Sequence, residues 1–243
     1  MTQEFDDKDA AREAVWDRLQ AAKVARFPFP PHGRIPNFVG AREAARRLFE
    51  LEPWRSARRL KVNPDSPQRY VRAEALRRGI TLFVPTPRLH GGFKKFDPER
   101  IPADKIAEAA NISTGERWAE EVPLADMPAV DAIVAGSVAV TRGGRRCGKG
   151  AGYSDLEFAI LRELGHPPVP VATTVHPLQI VDRIPAEPND LPLSAIVTPQ
   201  EAIEVAHPPA APKRIAWRRL SEADLAQMPI LKDLRALRDR RRG

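Results

Sequence analysis

The feature that most constrains this chain is the order of three segments between residues 131 and 165. DAIVAGSVAVT is apolar almost throughout, RGGRRCGKGAGYS is glycine-rich and basic, and DLEFAILRELG has helical spacing. An uninterrupted apolar run of strand length predicts a strand covered on both faces, which is the mark of a mostly parallel sheet. The last segment predicts a helix over 155–165, with Leu156, Ile160, Leu161 and Leu164 inward and Gly165 as its stop. A strand, a glycine loop and a helix in that order place the loop beyond the carboxyl end of a strand, where open α/β sheets bind ligands.

The rest of the chain supports that class. Residues 7–24 predict a helix carrying Ala11, Val15 and Leu19 on one stripe, stopped by the prolines of FPFPPHGRIPNF. Helices are predicted at 40–51 and 68–79, and strands at 58–63, 80–85, 168–176, 194–199 and 213–217. Residues 86–129 read as a loop or hairpin followed by a helical turn. Ser221 and Asp224 mark a capped turn before a basic helix. Strands alternating with helices predict an α/β fold, a mostly parallel sheet with helices on both faces. One domain over 1–243 is expected, with a helical N-terminal part (1–52) and a basic C-terminal tail (218–243).

The formal charge is +7, which suits anionic partners but does not separate nucleotides from nucleic acid. The 25 prolines, about twice the usual share of roughly 5%, are spread along the chain and imply rigid connections. No apolar run reaches the ~20 residues that cross a bilayer. The polar, acidic N-terminus is not a secretory signal, and the single cysteine, Cys147, excludes an internal disulfide. A cytoplasmic protein without membrane association is expected.

The loop almost spells a P-loop: Gly143, Gly148 and Lys149 fit, but Gly150 stands where Ser or Thr would ligate a metal. Its residues alone leave two readings open. One is a flexible basic turn. The other is a phosphate cradle, with glycine N–H groups, the positive end of a helix, and Arg145, Arg146 and Lys149 as countercharge.

GRRCGKGAGYSD (144–155) resembles the G-x-R-L-G-R-G-K-G-Y-Y-D signature of the 5-formyltetrahydrofolate cyclo-ligase family. Gly144, Arg146, Gly148, Gly150, Gly152, Tyr153 and Asp155 match, and Lys149 replaces an arginine. Lys8 and Arg12 fit the family's K-x-x-x-R start at the nucleotide phosphates. VHPLQIVDRIPAEPNDLPLSAIVTP (175–199) is similar to its closing segment, with Asp190 matching and Asn189 in place of a histidine. Three motifs in order are far more specific than the loop alone.

The resemblance implies the sugar-isomerase and CoA-transferase-like architecture and an ATP-dependent ring closure. ATP phosphorylates the formyl oxygen of 5-formyltetrahydrofolate, N10 attacks the activated carbon, and 5,10-methenyltetrahydrofolate forms with loss of phosphate. ATP and Mg²⁺ are the implied cofactors, and a folate-like small molecule is the implied partner. The implied catalytic residues are Lys149, Arg146 and Tyr153. Lys8, Arg12, Arg145, Gly148, Gly150, Gly152 and Asp155 would bind ATP. Asp65, Arg88 and Tyr153 would bind substrate, and Asp155 and Asp190 would hold the metal.

The chain departs from the pattern at Ala151, where the family has lysine, and at Ser154, where it has a second tyrosine. Asp65 is the carboxylate nearest the place of the family's folate acceptor, though N-P-D-S-P is also a turn sequence. The segment 32–50 has no counterpart in the signature. Arg88 and His90 follow a strand end, where ligand contact and solvated loop charge are equally open. His176 is expected to be structural, Cys147 a small buried apolar group, and His32, His166 and His207 lack metal-ligand spacing. The alternatives to the enzyme are a nucleotide-binding homologue without ring-closing activity and, less favoured, an RNA-binding protein using the basic tail.

Overall fold

The computed structural model describes residues 3–89, 91–222, 225 and 228–240. The chain enters α1 (Lys8–Ala21), whose first turn is capped by Asp7, its carboxylate accepting from the Ala10 amide at 3.0 Å. A short antiparallel pair follows, β1 (Ala25–Arg26) with β2 (Asn37–Phe38). Next come α2 (Ala41–Leu48), β3 (Arg59–Val62), α3 (Gln68–Arg77), β4 (Thr81–Pro85) and β5 (Phe93–Phe96). The single-turn α4 (Ile106–Ala109) precedes β6 (Ala119–Val122), β7 (Ala132–Val134), β8 (Ala139–Thr141) and β9 (Arg146–Cys147). The chain continues through α5 (Tyr153–Glu163), β10 (Val171–Thr174), β11 (Ile180–Val181), β12 (Ala195–Val197) and β13 (Ala202–Glu204) to α6 (Ile230–Arg240).

Eight strands form the main sheet in the order β13-β12-β10-β7-β3-β4-β5-β6. Its five central strands are parallel, and β13, β5 and β6 add antiparallel edges. Strand periodicity sorts the core into two layers. Leu60, Val62, Leu82, Val84, Ala132, Val134 and Ala172 face one way, onto α2 and α3. Phe83, Ile133, Val171 and Ile196 face the other, onto α5 and α6. A buried parallel sheet sandwiched between helices is the class predicted from the sequence.

The run 131–141 is not one strand. It contributes β7 to the main sheet, leaves it through Ala135–Val138, and contributes β8 to a second sheet ordered β11-β8-β9. Gly136 permits the departure: a Cβ there would lie 2.9 Å from the Ile35 side chain and 3.0 Å from Gln68 Oε1. The freed backbone groups find other partners. Thr173 Oγ1 donates to the Ala135 carbonyl at 2.7 Å, and Gln179 Nε2 to those of Ser137 and Val138 at 2.9 and 3.1 Å. Hydropathy cannot see this bend, because residues 132–141 stay buried on either side of it.

Residues 213–217 are not a strand either; they run into a 3-10 turn at Trp217–Arg219. Ile215 is buried there, and its amide and the Trp217 indole donate to Glu163 at the end of α5. The loop or hairpin expected at the start of 86–129 is the turn between β4 and β5, which pair antiparallel, and the expected helical turn is α4; β6 then pairs with β5 after a 22-residue excursion (97–118). Ser221 is described but Asp224 is not, so the capped turn lies outside the described residues. Among the described residues no helix is long and apolar enough to cross a membrane.

Candidate active site

A cavity of about 660 Å³ opens at the carboxyl ends of β3 and β4, between α1, the loop 148–152 and the first turns of α5. Gly152 begins that helix in a left-handed conformation, φ +66°, and Gly150 stands at φ +107°, both accessible at little strain only to glycine. The glycine loop does not follow the buried strand directly. The β8–β9 hairpin intervenes, so the strand that delivers the loop is β9 of the smaller sheet.

The cations of the loop fall into two kinds. Arg146 is 3% exposed. Its Nη2 donates to the Gly136 carbonyl at 2.9 Å, its Nε to Ser137 Oγ at 3.3 Å, and its Nη1 to Asp155 Oδ1 at 2.8 Å. Arg146 therefore clamps the bend after β7 to the start of α5. Lys149 is exposed and pairs with Asp65 Oδ1 at 2.9 Å. Arg145 is exposed and does not line the cavity.

α1 supplies two more cations. Lys8 Nζ lies 2.6 Å from Asp190 Oδ1 and 3.2 Å from Glu187. Arg12 Nε donates to the Gly148 carbonyl at 2.7 Å while its Nη1 meets Asp9. Lys8, Arg12, Lys149, Tyr153, Asp155 and Asp190 thus line one cavity although they span more than 180 residues. Gly148, Gly150, Gly152 and Asp65 line it too. The Arg88 side chain and His90 lie outside the described residues, although the neighbouring Thr86, Pro87 and Leu89 line the wall.

The two carboxylates proposed for a metal differ. Asp155 uses only Oδ1, which also accepts from the Leu191 amide at 2.8 Å, leaving Oδ2 without a partner among the described residues. Asp190 uses both oxygens, Oδ1 for Lys8 and Oδ2 for the Glu187 amide at 2.8 Å. No cluster of three or more metal-ligating side chains exists among the described residues. That donor set does not fit a metal caged by protein, but it fits Mg²⁺ carried on a polyphosphate, which needs only one or two carboxylate oxygens.

One wall of the cavity has no counterpart in the sequence expectations. Lys61 on β3 and Glu157 on α5 form a buried ion pair, 1% and 3% exposed. Lys61 Nζ also donates to Asn63 Oδ1, and Asn63 Nδ2 to Ser154 Oγ, each at 2.8 Å. Lys61 and Asn63 share a strand face, and Ser154 and Glu157 share a helix face, so the four close into a ladder. Burial pushes the Glu157 carboxyl above the usual range despite the Lys61 ammonium. Arg72, its guanidinium pushed down to about 9 by burial, donates to the carbonyls of Asn63, Asp65 and Ala110 and shapes the β3–α3 loop. The signal available in the sequence was a lysine inside an apolar strand.

Two expectations of structural roles agree with the geometry. Cys147 is buried, and desolvation raises its thiol pKa. His176 caps a 3-10 turn, its Nδ1 accepting from the Leu178 amide at 3.2 Å, and burial lowers its pKa.

A model of the 5-formyltetrahydrofolate cyclo-ligase family matches residues 6–199. The chain belongs to that family. It is 42% identical over 240 residues to the methenyltetrahydrofolate synthase domain-containing protein of Mus musculus, covering 96% of this chain and 64% of that protein. The Homo sapiens protein of the same name is 37% identical over 236 residues, 94% and 61% of the respective chains. This chain therefore spans less than two thirds of the length of those relatives. The 5-formyltetrahydrofolate cyclo-ligase of Mycolicibacterium smegmatis is 33% identical over 114 residues, 46% of this chain and 45% of that one. The solution structure of Aquifex aeolicus 5,10-methenyltetrahydrofolate synthetase superposes with a TM-score of 0.52 at 16% identity, over 82% of this chain and 93% of that chain. Its likeness bears on the fold, which it shares.

Proposed function

We propose that the chain is an ATP- and Mg²⁺-dependent cyclo-ligase that closes the ring of 5-formyltetrahydrofolate or a closely related folate, working as one domain. The observation that carries this reading is the convergence of Lys8, Arg12, Lys149 and Asp155 on one cavity at the positive end of α5. Cations from two distant segments, glycine N–H groups and a helix N-terminus together suit a polyphosphate.

In this reading Lys8 and Arg12 hold the distal phosphates, and the 148–152 backbone turns its amides to them. Lys149 leaves Asp65 and follows the charge that develops on the transferred phosphoryl group. Arg146 acts as a positioning residue, because its three described contacts are internal. Asp155 Oδ2 is the oxygen open to Mg²⁺, which when bound with the nucleotide neutralises phosphate charge. Tyr153 and the ladder of Asn63, Ser154 and Glu157 face the remaining space, where the formyl-bearing ring would lie. Asp65, freed from Lys149, is the further acceptor for that ring.

A second reading, a nucleotide-binding homologue that does not close the ring, is favoured by Ala151. That exposed position offers no cation where the family signature has lysine. The decisive experiment pairs calorimetry of Mg-ATP binding with the absorbance of methenyl-folate. ATP-dependent absorbance supports the enzyme; Mg-ATP binding without product supports the homologue.

A further inference from the structure

A second cavity, of about 950 Å³, lies on another part of the surface between the 26–43 segment, the first turns of α3 and residues 111–113. Among the described residues it shares only Pro64 with the first. We propose that this groove binds single-stranded nucleic acid. Four guanidinium groups, those of Arg34, Arg42, Arg46 and Arg69, line it or its continuation along α2 and α3. None of the four has a carboxylate within ion-pair distance among the described residues, although this chain pairs cations freely elsewhere. Arg42 and Arg46 are four residues apart on α2, a like-charge spacing that destabilises a helix unless an external anion relieves it.

The same surface carries aromatic faces. Arg42 and Arg69 both rest on the Tyr70 ring, 5.5 and 5.0 Å from its centre. Phe27, which lines the groove, is 76% exposed, and Phe29 beside it is 60% exposed. Large aromatic side chains are rarely left so open without a partner. Guanidinium groups suit phosphates because their donors form a planar fork. Unpaired bases offer π-faces to Phe27 and Phe29, and a duplex hides those faces. A concave basic groove edged by aromatics therefore fits a flexible strand better than a flat membrane or an acidic peptide, which lacks bases to stack.

The test uses the full chain and a labelled single-stranded oligonucleotide of about a dozen nucleotides, read by fluorescence anisotropy between about 50 and 200 mM salt. The wild type should bind with log affinity falling linearly in log salt. R42S/R46S/R69S should weaken binding by at least about tenfold and lower the slope by about 2, since each phosphate contact on a single strand contributes about 0.7. F27S should weaken binding without changing the slope. Absence of binding at the lowest salt would overturn the proposal. So would indifference to these substitutions, or loss only on removal of residues 241–243. Equal competition by a duplex, by poly-glutamate or by anionic vesicles would reduce the groove to a general polyanion surface and also overturn it.

Discussion

Removing the Lys61 ammonium tests how the wall of the main cavity is built. In K61M the Glu157 carboxylate loses its partner while remaining about 97% buried, and Asn63 Oδ1 loses a donor. Breaking one side of a buried pair costs about 3–5 kcal/mol, because a charge is left without compensation. For a chain of this size, about 2–4 °C per kcal/mol, that is a drop of roughly 6–20 °C in melting temperature. The loss depends on pH with a definite sign. Burial already holds the Glu157 pKa above its unfolded value, and the variant removes the attraction that opposes burial, so its folded pKa rises further. A carboxyl raised in the folded state binds its proton more tightly there, so stability is retained at low pH and lost as pH rises through the folded pKa. K61M should therefore be closest to wild type in mild acid and fall furthest behind above neutrality. K61M/E157L, which removes both charges, should recover most of the loss, since apolar replacement of a buried pair is commonly neutral or stabilising. Thermal and urea unfolding at acidic and alkaline pH decide the matter. A K61M deficit under about 1 kcal/mol, or one equal at both pH values, would refute the view that Glu157 is ionised and held by Lys61.

Three further outcomes follow from the same geometry. A151K, placing a cation in the glycine loop, should raise ATP-dependent methenyl-folate formation by about tenfold or more if a missing donor limits phosphoryl transfer; no gain in an active protein counts against that explanation. D155N keeps the shape but weakens the partner of Arg146 and removes the open anionic oxygen. Mg-ATP should then bind at least several-fold more weakly while metal-free nucleotide changes less, as read by calorimetry. The Cys147 thiol, buried and with its pKa raised, should resist alkylating reagents in the folded protein and react promptly once urea unfolds it, a difference measured by mass spectrometry.

The fold class was legible because a parallel sheet writes itself as short apolar runs, and β4, β7, β10 and β12 lie within such runs, whereas β3, RLKV, carries two charges. What stayed hidden depends on tertiary partners. The break at Gly136 leaves no polar gap in hydropathy, because its freed carbonyl is taken up by Arg146 and the one before it by Thr173. The edge strands β6 and β13, AEEV and AIE, carry acidic residues that read as loop. Among the candidate site residues, the motif spacing picked out Lys8, Arg12, Lys149, Tyr153, Asp155 and Asp190, which line one cavity. It could not show that Arg146 is buried while Arg145, which precedes β9, is exposed, because the difference rests on the Gly136, Ser137 and Asp155 partners that the fold brings to Arg146. Lys61 and Glu157 escaped notice because each looks like surface charge until the other is brought against it across 96 positions.

The departures at Ala151 and Ser154 bear on where the cavity keeps its mobile charge. Arg146 cannot be drawn toward a ligand without leaving the Gly136 carbonyl, Ser137 and Asp155 unpaired in a dry setting, a loss of about 1–3 kcal/mol for each buried group. Lys149 is different. Its pair with Asp65 is formed by an exposed ammonium, and such pairs contribute about 0–1 kcal/mol. A polyphosphate carrying several negative charges outbids one carboxylate for it at little cost. Lys8 is intermediate, 12% exposed in its side chain and shared between Glu187 and Asp190. The glycine loop thus has one fixed cation that shapes it and one free to move, with Lys8 and Arg12 of α1 facing them. Ala151 removes a further mobile charge from this set without touching the fixed one. In the proposed reaction, loss of phosphate affinity is therefore not the expected consequence of Ala151; the expected deficit lies in the transfer step, where the number of cations that can follow the moving phosphoryl group sets the stabilisation of the transition state.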